Sequence, residues 1–201
     1  MGITKKSLAI CTALTLSSTA MSSERSGFLL SFGAHGASTG AAATVSVPSI
    51  GFTETESLDS GFAIGTSFKI GGTFGRGKQN SVYYHAIGSY FDVEGSNSYA
   101  GIAGIGYTYY FQRRAGGAYI EATLGLGTLA ETSDILAGDL ESVSTGGGAL
   151  FGGGYEFNKY FQVGGYISAI SVSEEMYLGS GYYADLTASI VNLGIKAEAK
   201  L

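Results

Sequence analysis

The chain of 201 residues carries two histidines, His35 and His85, and few other side chains that exchange protons near neutral pH. On an extended strand His85 and Ser89 share one face, which is the one arrangement here that sets a base beside a hydroxyl nucleophile. An acyl hydrolase or acyltransferase acting at lipid headgroups would also need an orienting acid within reach. Any Tyr- and Ser-rich strand yields such pairs, so the pair by itself identifies no catalytic residue and the expectation is a chain that is not an enzyme. His35 reads as a residue at the base of a loop. The single cysteine, Cys11, lies in an N-terminal segment expected to be removed, and two separated histidines make no zinc site. Glu174 and Glu175 could hold calcium with loop carbonyls, but the dense oxygen spacing of a calcium loop is missing, and a solvated acidic loop is the simpler reading. No metal and no cofactor are expected.

A second set of charges is more telling: Lys69, Glu121, Glu156, Lys196 and Glu198 fall at alternate positions of otherwise apolar segments. Residues 61–71 place Phe62, Ile64, Phe68 and Ile70 on one face and Ala63, Gly65, Ser67 and Lys69 on the other. Residues 118–127 oppose Ala118, Ile120, Ala122, Leu124 and Leu126 to Tyr119, Glu121, Thr123, Gly125 and Gly127. Near the C-terminus Val191, Leu193, Ile195 and Ala197 alternate with Asn192, Gly194, Lys196 and Glu198. A period of two with bulky apolar residues against small or polar ones is a strand signature. By the same criterion strands are expected at about 26–36, 80–92, 97–112, 143–157 and 159–172, which makes eight in all; in 97–112 the pattern does not decide which face is which.

The connections alternate in length. Long loops are expected at 37–59, 131–142 and 173–181, with a short one at 93–96. Asn158-Lys159 reads as a two-residue hairpin turn, and Gln112 to Gly117 as a short polar loop. Charge sorts the same way. The long-loop side holds Glu54, Glu56, Asp59, Asp92, Glu94, Glu131, Asp134, Asp139, Glu141, Glu174 and Glu175 without a Lys or Arg, whereas the turns hold Arg76, Lys78, Arg113, Arg114 and Lys159.

The N-terminus has the three parts of an export signal: Lys5 and Lys6, the apolar run Leu8 to Leu16, and the small residues Ser18-Thr19-Ala20. The expected division is a cleaved signal over 1–20 and one barrel domain over 21–201. Ile10 stands where a lipidated Cys11 would need a small residue, so no lipid anchor is read. Of the 11 basic residues Lys5 and Lys6 leave with the signal, so 9 face 16 acidic ones, a net charge of −7 that argues against a nucleic-acid partner.

Gly at 33 residues, Tyr at 14, Phe at 11 and a lone Pro48 favour strands and turns over helices. Hydrophobic residues make up 45%, yet past the N-terminus no run reaches the ~18 consecutive apolar residues of a helical span. Each expected strand is long enough to cross a bilayer when tilted, which takes about 9–11 residues. In lipid the strands must close, because no backbone group can stay unpaired there. The fold expected is all-β, an eight-stranded antiparallel up-and-down transmembrane β-barrel, with short turns and both termini in the periplasm. Eight strands leave room only for side chains inside. Lys69, Glu121, Glu156, Lys196 and Glu198 would then form a charge network in the lumen, paired because an isolated buried charge is costly. Tyr109, Phe111, Tyr155, Phe157 and Phe161 would form an interfacial girdle at one end, with Tyr177, Tyr182 and Tyr183 at the other.

The segment Gly152-Gly-Gly-Tyr-Glu-Phe-Asn-Lys-Tyr-Phe-Gln-Val-Gly-Gly-Tyr166 resembles the penultimate hairpin of opacity-like and OmpX-type outer-membrane proteins, where a Gly-rich strand ends in aromatics, turns tightly and restarts with an aromatic. The C-terminal Asn192-Leu-Gly-Ile-Lys-Ala-Glu-Ala-Lys-Leu201 looks like their barrel-assembly signal, with Ala197, Ala199 and Leu201 where Tyr or Phe is common. The resemblance implies an outer-membrane location, with outer-membrane lipid including lipopolysaccharide, the barrel-assembly machinery and a host or cell-surface ligand as partners. It defines architecture and not activity. No signature of the lipid-A-modifying barrels surrounds either histidine. Three function classes follow: a non-enzymatic surface barrel acting in adhesion or envelope integrity, a narrow passive conduit for small or hydrophobic molecules, and a lipid-modifying enzyme. The first is the expectation.

Overall fold

The structure, a computed structural model, describes residues 24–93, 96–134, 139–179 and 182–201; the expected signal and its cleavage after Ala20 lie outside them. Eight antiparallel strands are formed: β1 (Phe28–Val47), β2 (Phe52–Phe74), β3 (Asn80–Val93), β4 (Ser96–Tyr110), β5 (Gly117–Asp134), β6 (Asp139–Asn158), β7 (Phe161–Gly179) and β8 (Tyr182–Lys200). Each pairs with its sequence neighbours and β1 also pairs with β8, so the sheet closes into an up-and-down barrel. No helix of the described residues is long and apolar enough to cross a membrane.

The ladder fixes the shape. Followed once around, Gly33 pairs with Ser67, then Ile87, Ile102, Gly127, Gly146, Val172 and Ala188, and the path returns to β1 at Ala43, ten residues beyond its start. With a rise of about 3.3 Å per residue and about 4.8 Å between strands, that stagger tilts the strands by roughly 40° and sets a backbone radius of about 8 Å.

Alternation decides which side chains enter that narrow space. Phe62, Leu124 and Ile195, each 71% exposed, stand on the outer wall with Ile64, Leu126 and Leu193, while Ala63, Ser67, Lys69, Tyr119, Glu121, Lys196 and Glu198 point inward and are buried. In β4, where the pattern was undecided, Ala100, Ile102, Thr108 and Tyr110 are inside and Ile105 and Tyr107 outside. Apolar residues outside and charges inside reverse the usual order of a protein in water, and fit a wall solvated by hydrocarbon.

At the end that holds both termini, here the proximal end, the connections are tight. Between β2 and β3, Gly75, Gly77 and Lys78 take left-handed conformations (φ 80°, 71° and 50°). The turn after β6 is Lys159-Tyr160, one residue later than the sequence pattern placed it, and Asn158 Oδ1 accepts the Tyr160 N–H at 2.8 Å.

The distal end departs from the expected long loops. In place of a loop over 37–59, β1 runs to Val47 and β2 starts at Phe52, joined by a single turn at Pro48–Ile50 closed by Gly51 with φ 67°. In the region 131–142, β5 reaches Asp134 and β6 begins at Asp139; in the region 173–181, β7 reaches Gly179 and β8 begins at Tyr182. The 93–96 connection is short, as expected. The cause is that these segments have lost the contrast between a bulky and a small face, as in Ala41-Ala-Ala-Thr-Val-Ser-Val47, while backbone pairing needs no such contrast. Hydroxyl pairs across the ladder line the extension: Thr44 with Thr55 at 3.0 Å, Ser46 with Thr53 at 3.2 Å and Ser173 with Thr187 at 3.0 Å. The 23 residues of β2 rise about 55 Å along the barrel axis at that tilt, twice the ~25 Å apolar belt of a membrane barrel.

Candidate functional site

The inward positions of β8, read from the C-terminus, give the layers of the lumen in order: Lys200, Glu198, Lys196, Gly194, Asn192 and Ile190. At the proximal mouth Lys200 forms an ion pair with Glu156, and Arg25, from the segment before β1, holds the same carboxylate. The Arg25 guanidinium donates from Nε to both Glu156 oxygens at 3.2 and 3.0 Å and from Nη2 to Oε2 at 2.6 Å. It also donates to the carbonyls of Gln112 at 2.8 Å and Arg114 at 2.9 Å, and its centre lies 4.1 Å from the Tyr110 ring centroid. Gly116 N–H adds a bond to Glu156 at 2.9 Å. The first segment of the barrel, the β4–β5 turn, β6 and β8 are thereby tied at one point.

Above this lies a layer of tyrosines, Tyr110, Tyr119 and Tyr83, all buried. Glycine makes their room: a Cβ on Gly106 would strike the Tyr83 ring and one on Gly164 the Tyr119 hydroxyl.

The next layer is a closed set of four charges. Lys69 Nζ reaches Glu121 Oε2 at 2.7 Å and Glu198 at 2.8 Å, and Lys196 reaches Glu121 and, at 3.4 Å, Glu198. Each cation thus meets both anions and the formal charge is zero. Gln162 Nε2 donates to Glu198 at 2.5 Å and the Tyr83 hydroxyl to Glu121 at 3.5 Å. Of the five charges expected together, four meet; Glu156 belongs to the mouth cluster because it stands on β6 one layer nearer the termini. Arg25 and Lys200 were not anticipated. Lys200 continues the alternation of Lys196 and Glu198 and was open to the same reasoning, whereas Arg25 precedes any strand pattern.

Distal to the charges, His35 Nε2 is 2.9 Å from Ser89 Oγ and its ring meets Tyr166 edge-on at 5.5 Å, while His85 Nδ1 is 2.7 Å from Thr123 Oγ1. Two sequence readings are corrected here. Ser89 is the partner of His35, because β1 and β3 face each other across β2 at this level, and it is not the partner of His85. His35 is a buried lumen residue, 6% exposed, since β1 continues a further twelve residues beyond it. Neither histidine reaches the outer wall, where lipid headgroups would lie. Thr39 donates to Asn192 at 2.6 Å and Asn192 to Ser168 at 3.3 Å.

The distal part of the lumen is apolar: Ala37, Ala63, Ile87, Phe91, Ala100, Ile102, Leu150, Ile170, Val172 and Ile190 pack into one cluster. The gap between it and the polar layers, bounded by Ser89, Ser168, Asn192 and Tyr166, is about 10 Å³, at the threshold for one water. Among the described residues no group of three or more His, Cys, Asp or Glu is placed to hold a metal ion.

On the outer wall at the proximal end, Phe111, Tyr155 and Phe161 are exposed and Tyr109 and Phe157 half-buried. Their rings stack in two groups, Tyr109 on Phe111 at 5.3 Å, and Tyr155 on Phe157 at 5.3 Å with Phe161 5.9 Å further on. At the distal end Tyr177 and Tyr183 pair at 5.1 Å. Exposed Glu54, Glu56, Glu174, Glu175 and Asp185 crowd the distal strands, and Arg76, Arg113 and Arg114 are exposed in the proximal turns.

No family profile matches the chain, and no curated protein matches it. Among solved structures it is similar to Neisserial surface protein A, at 17% identity over 88% of this chain and 98% of that one with a TM-score of 0.49. It is similar to the outer membrane protein OprG from Pseudomonas aeruginosa, at 12% identity over 89% and 98% with a TM-score of 0.49. A third is the attachment invasion locus protein of Yersinia pestis in complex with the heparin analogue sucrose octasulfate, at 12% identity over 85% and 99% with a TM-score of 0.35. Identities this low carry no ligand or activity across. By its own closed ladder, apolar outer wall and polar interior, the chain is one of the small eight-stranded antiparallel membrane β-barrels.

Proposed function

We propose that this protein is a non-conducting, non-enzymatic barrel of the bacterial outer membrane that acts through its distal end in adhesion or in envelope integrity. The observation that carries this reading is the filled lumen: a salt-bridged mouth, a tyrosine layer, a neutral charge quartet and an apolar layer succeed one another, with gaps of about 20 Å³ at the mouth and about 10 Å³ below the apolar layer among the described residues. A wall twice the height of the apolar belt, acidic at its far end, supports placing the working surface outside the membrane. In this reading Lys69, Glu121, Lys196 and Glu198 plug the lumen, and Tyr109, Phe111, Tyr155, Phe157 and Phe161 mark the membrane interface on the periplasmic side. The basic proximal turns and both termini then lie in the periplasm. Lipopolysaccharide surrounds the wall, and the barrel-assembly machinery inserts it.

The test is conductance in planar bilayers together with the mass of lipid A on expression. Silence in the bilayer and unchanged lipid A are expected. Stable single-channel steps would overturn the reading in favour of a conduit, and an altered lipid A mass in favour of an enzyme.

A further inference from the structure

We propose that the free edge of β2 at the distal end is a docking strand for an extended, cationic segment of another protein, which adds to the sheet by backbone pairing. This rests on the surface-barrel reading and supplies the chemistry of the partner.

From Ile64 to Gly72, β2 is paired on both sides, with β1 and with β3; from Phe52 to Leu58 its partner among the described residues is β1 alone. Seven residues at about 3.3 Å each leave some 20 Å of edge beyond the apolar belt whose N–H and C=O groups pointing away from β1 have no strand partner among the described residues, which is a template for one more strand. The edge is held straight rather than looped. Val45 of β1 pairs with Glu54 on one side and with Leu186 of β8 on the other, and Leu186 pairs with Glu174 of β7, so β2 borders a four-stranded sheet. The opposite border, β7, is partly covered, because Ser144 of β6 hydrogen-bonds to Glu174.

The side chains on the edge select the occupant. Thr53 and Thr55 face one way, their hydroxyls tied to Ser46 and Thr44. Glu54 and Glu56 face the other way with Phe52, beside Val45, and all three are exposed. A strand laid along this edge therefore meets carboxylates at two alternate positions, Glu54 and Glu56, with Phe52 beside them. A second copy of the chain pairing edge to edge would set Glu54 and Glu56 against their own kind, which is destabilising. Lys or Arg at alternate positions of an incoming strand meets them favourably, and between Arg25 and Lys69, as between Lys159 and Lys196, the sequence has no Lys or Arg of its own to compete.

The test uses the full barrel folded in zwitterionic detergent and a fluorescent peptide of alternating lysine and threonine. Two controls have the same composition: one with lysines and threonines in separate blocks, and one alternating but methylated at every backbone nitrogen. Binding of the alternating peptide at least tenfold tighter than either control is expected. The double variant Glu54→Lys/Glu56→Lys, with unchanged heat-dependent gel migration, should lose that peptide by more than tenfold and gain its alternating glutamate–threonine counterpart. Equal binding of the methylated peptide would reduce the effect to charge attraction and overturn strand addition; undiminished binding by the double variant would overturn the site. Conductance of the same preparation is a separate readout: channel steps would sink the surface-barrel reading and leave the peptide result standing.

Discussion

Replacing Glu121 with Gln probes the charge quartet at its centre. Glu121 is 2% exposed and meets Lys69 at 2.7 Å and Lys196. Glu121→Gln keeps the shape and removes one negative charge, so two ammonium groups are left to share Glu198. Breaking a buried pair from one side costs about 3–5 kcal/mol, because the partner stays buried without compensation. That is roughly two to three and a half orders of magnitude in the folding equilibrium. Glu121→Gln/Lys196→Met removes one charge of each sign and leaves Lys69 paired with Glu198 at 2.8 Å. Since replacing a whole buried pair by apolar groups is often neutral or stabilising, the double variant should recover most of the loss. The assay is urea unfolding in lipid vesicles followed by gel migration and tyrosine fluorescence, the chain having no Trp. A single variant within about 1 kcal/mol of the parent, or a double variant no more stable than the single one, would refute the coupling.

Arg25→Ala leaves Glu156 with Lys200 and strips the Gln112 and Arg114 carbonyls of their donor; a loss of about 2–4 kcal/mol is expected in the same assay, with no conductance because the quartet and the apolar layer remain. Leu124→Arg, at a position 71% exposed on the wall, should cost about 2–4 kcal/mol in vesicles, whereas Thr55→Arg on the distal sheet should cost less than about 1 kcal/mol; equal costs would misplace the membrane. Ser89→Ala and His35→Ala should leave lipid A mass unchanged on expression, and a change with either would revive lipid chemistry.

The wall was legible in the residues because lipid imposes a strict contrast: Phe62, Ile64, Leu124, Leu193 and Ile195 outward against Lys69, Glu121, Lys196 and Glu198 inward announce both strand and face. Past the lipid that contrast ends. Thr53-Glu-Thr-Glu-Ser57 is polar on both faces, so the sequence reads as loop while the ladder continues through backbone groups that leave no residue signature. The ten-residue stagger is equally silent in the sequence, yet it decides which charges meet. Alternation puts Glu121 and Glu156 inside, but only the register sends Glu121 to Lys69 and Glu156 to Arg25. His35 was misplaced for the same reason: with β1 ended early it becomes a loop base, and its contact with Ser89 depends on two strand pairings at once.

The most direct test of the membrane barrel is refolding with and without lipid vesicles, read by far-UV circular dichroism and by migration before and after boiling. A β spectrum and a compact band that shifts on boiling, both requiring lipid or detergent, are the expected result. Cooperative folding to a β structure in plain buffer would contradict it, making the chain a soluble β protein whose apolar face turns inward.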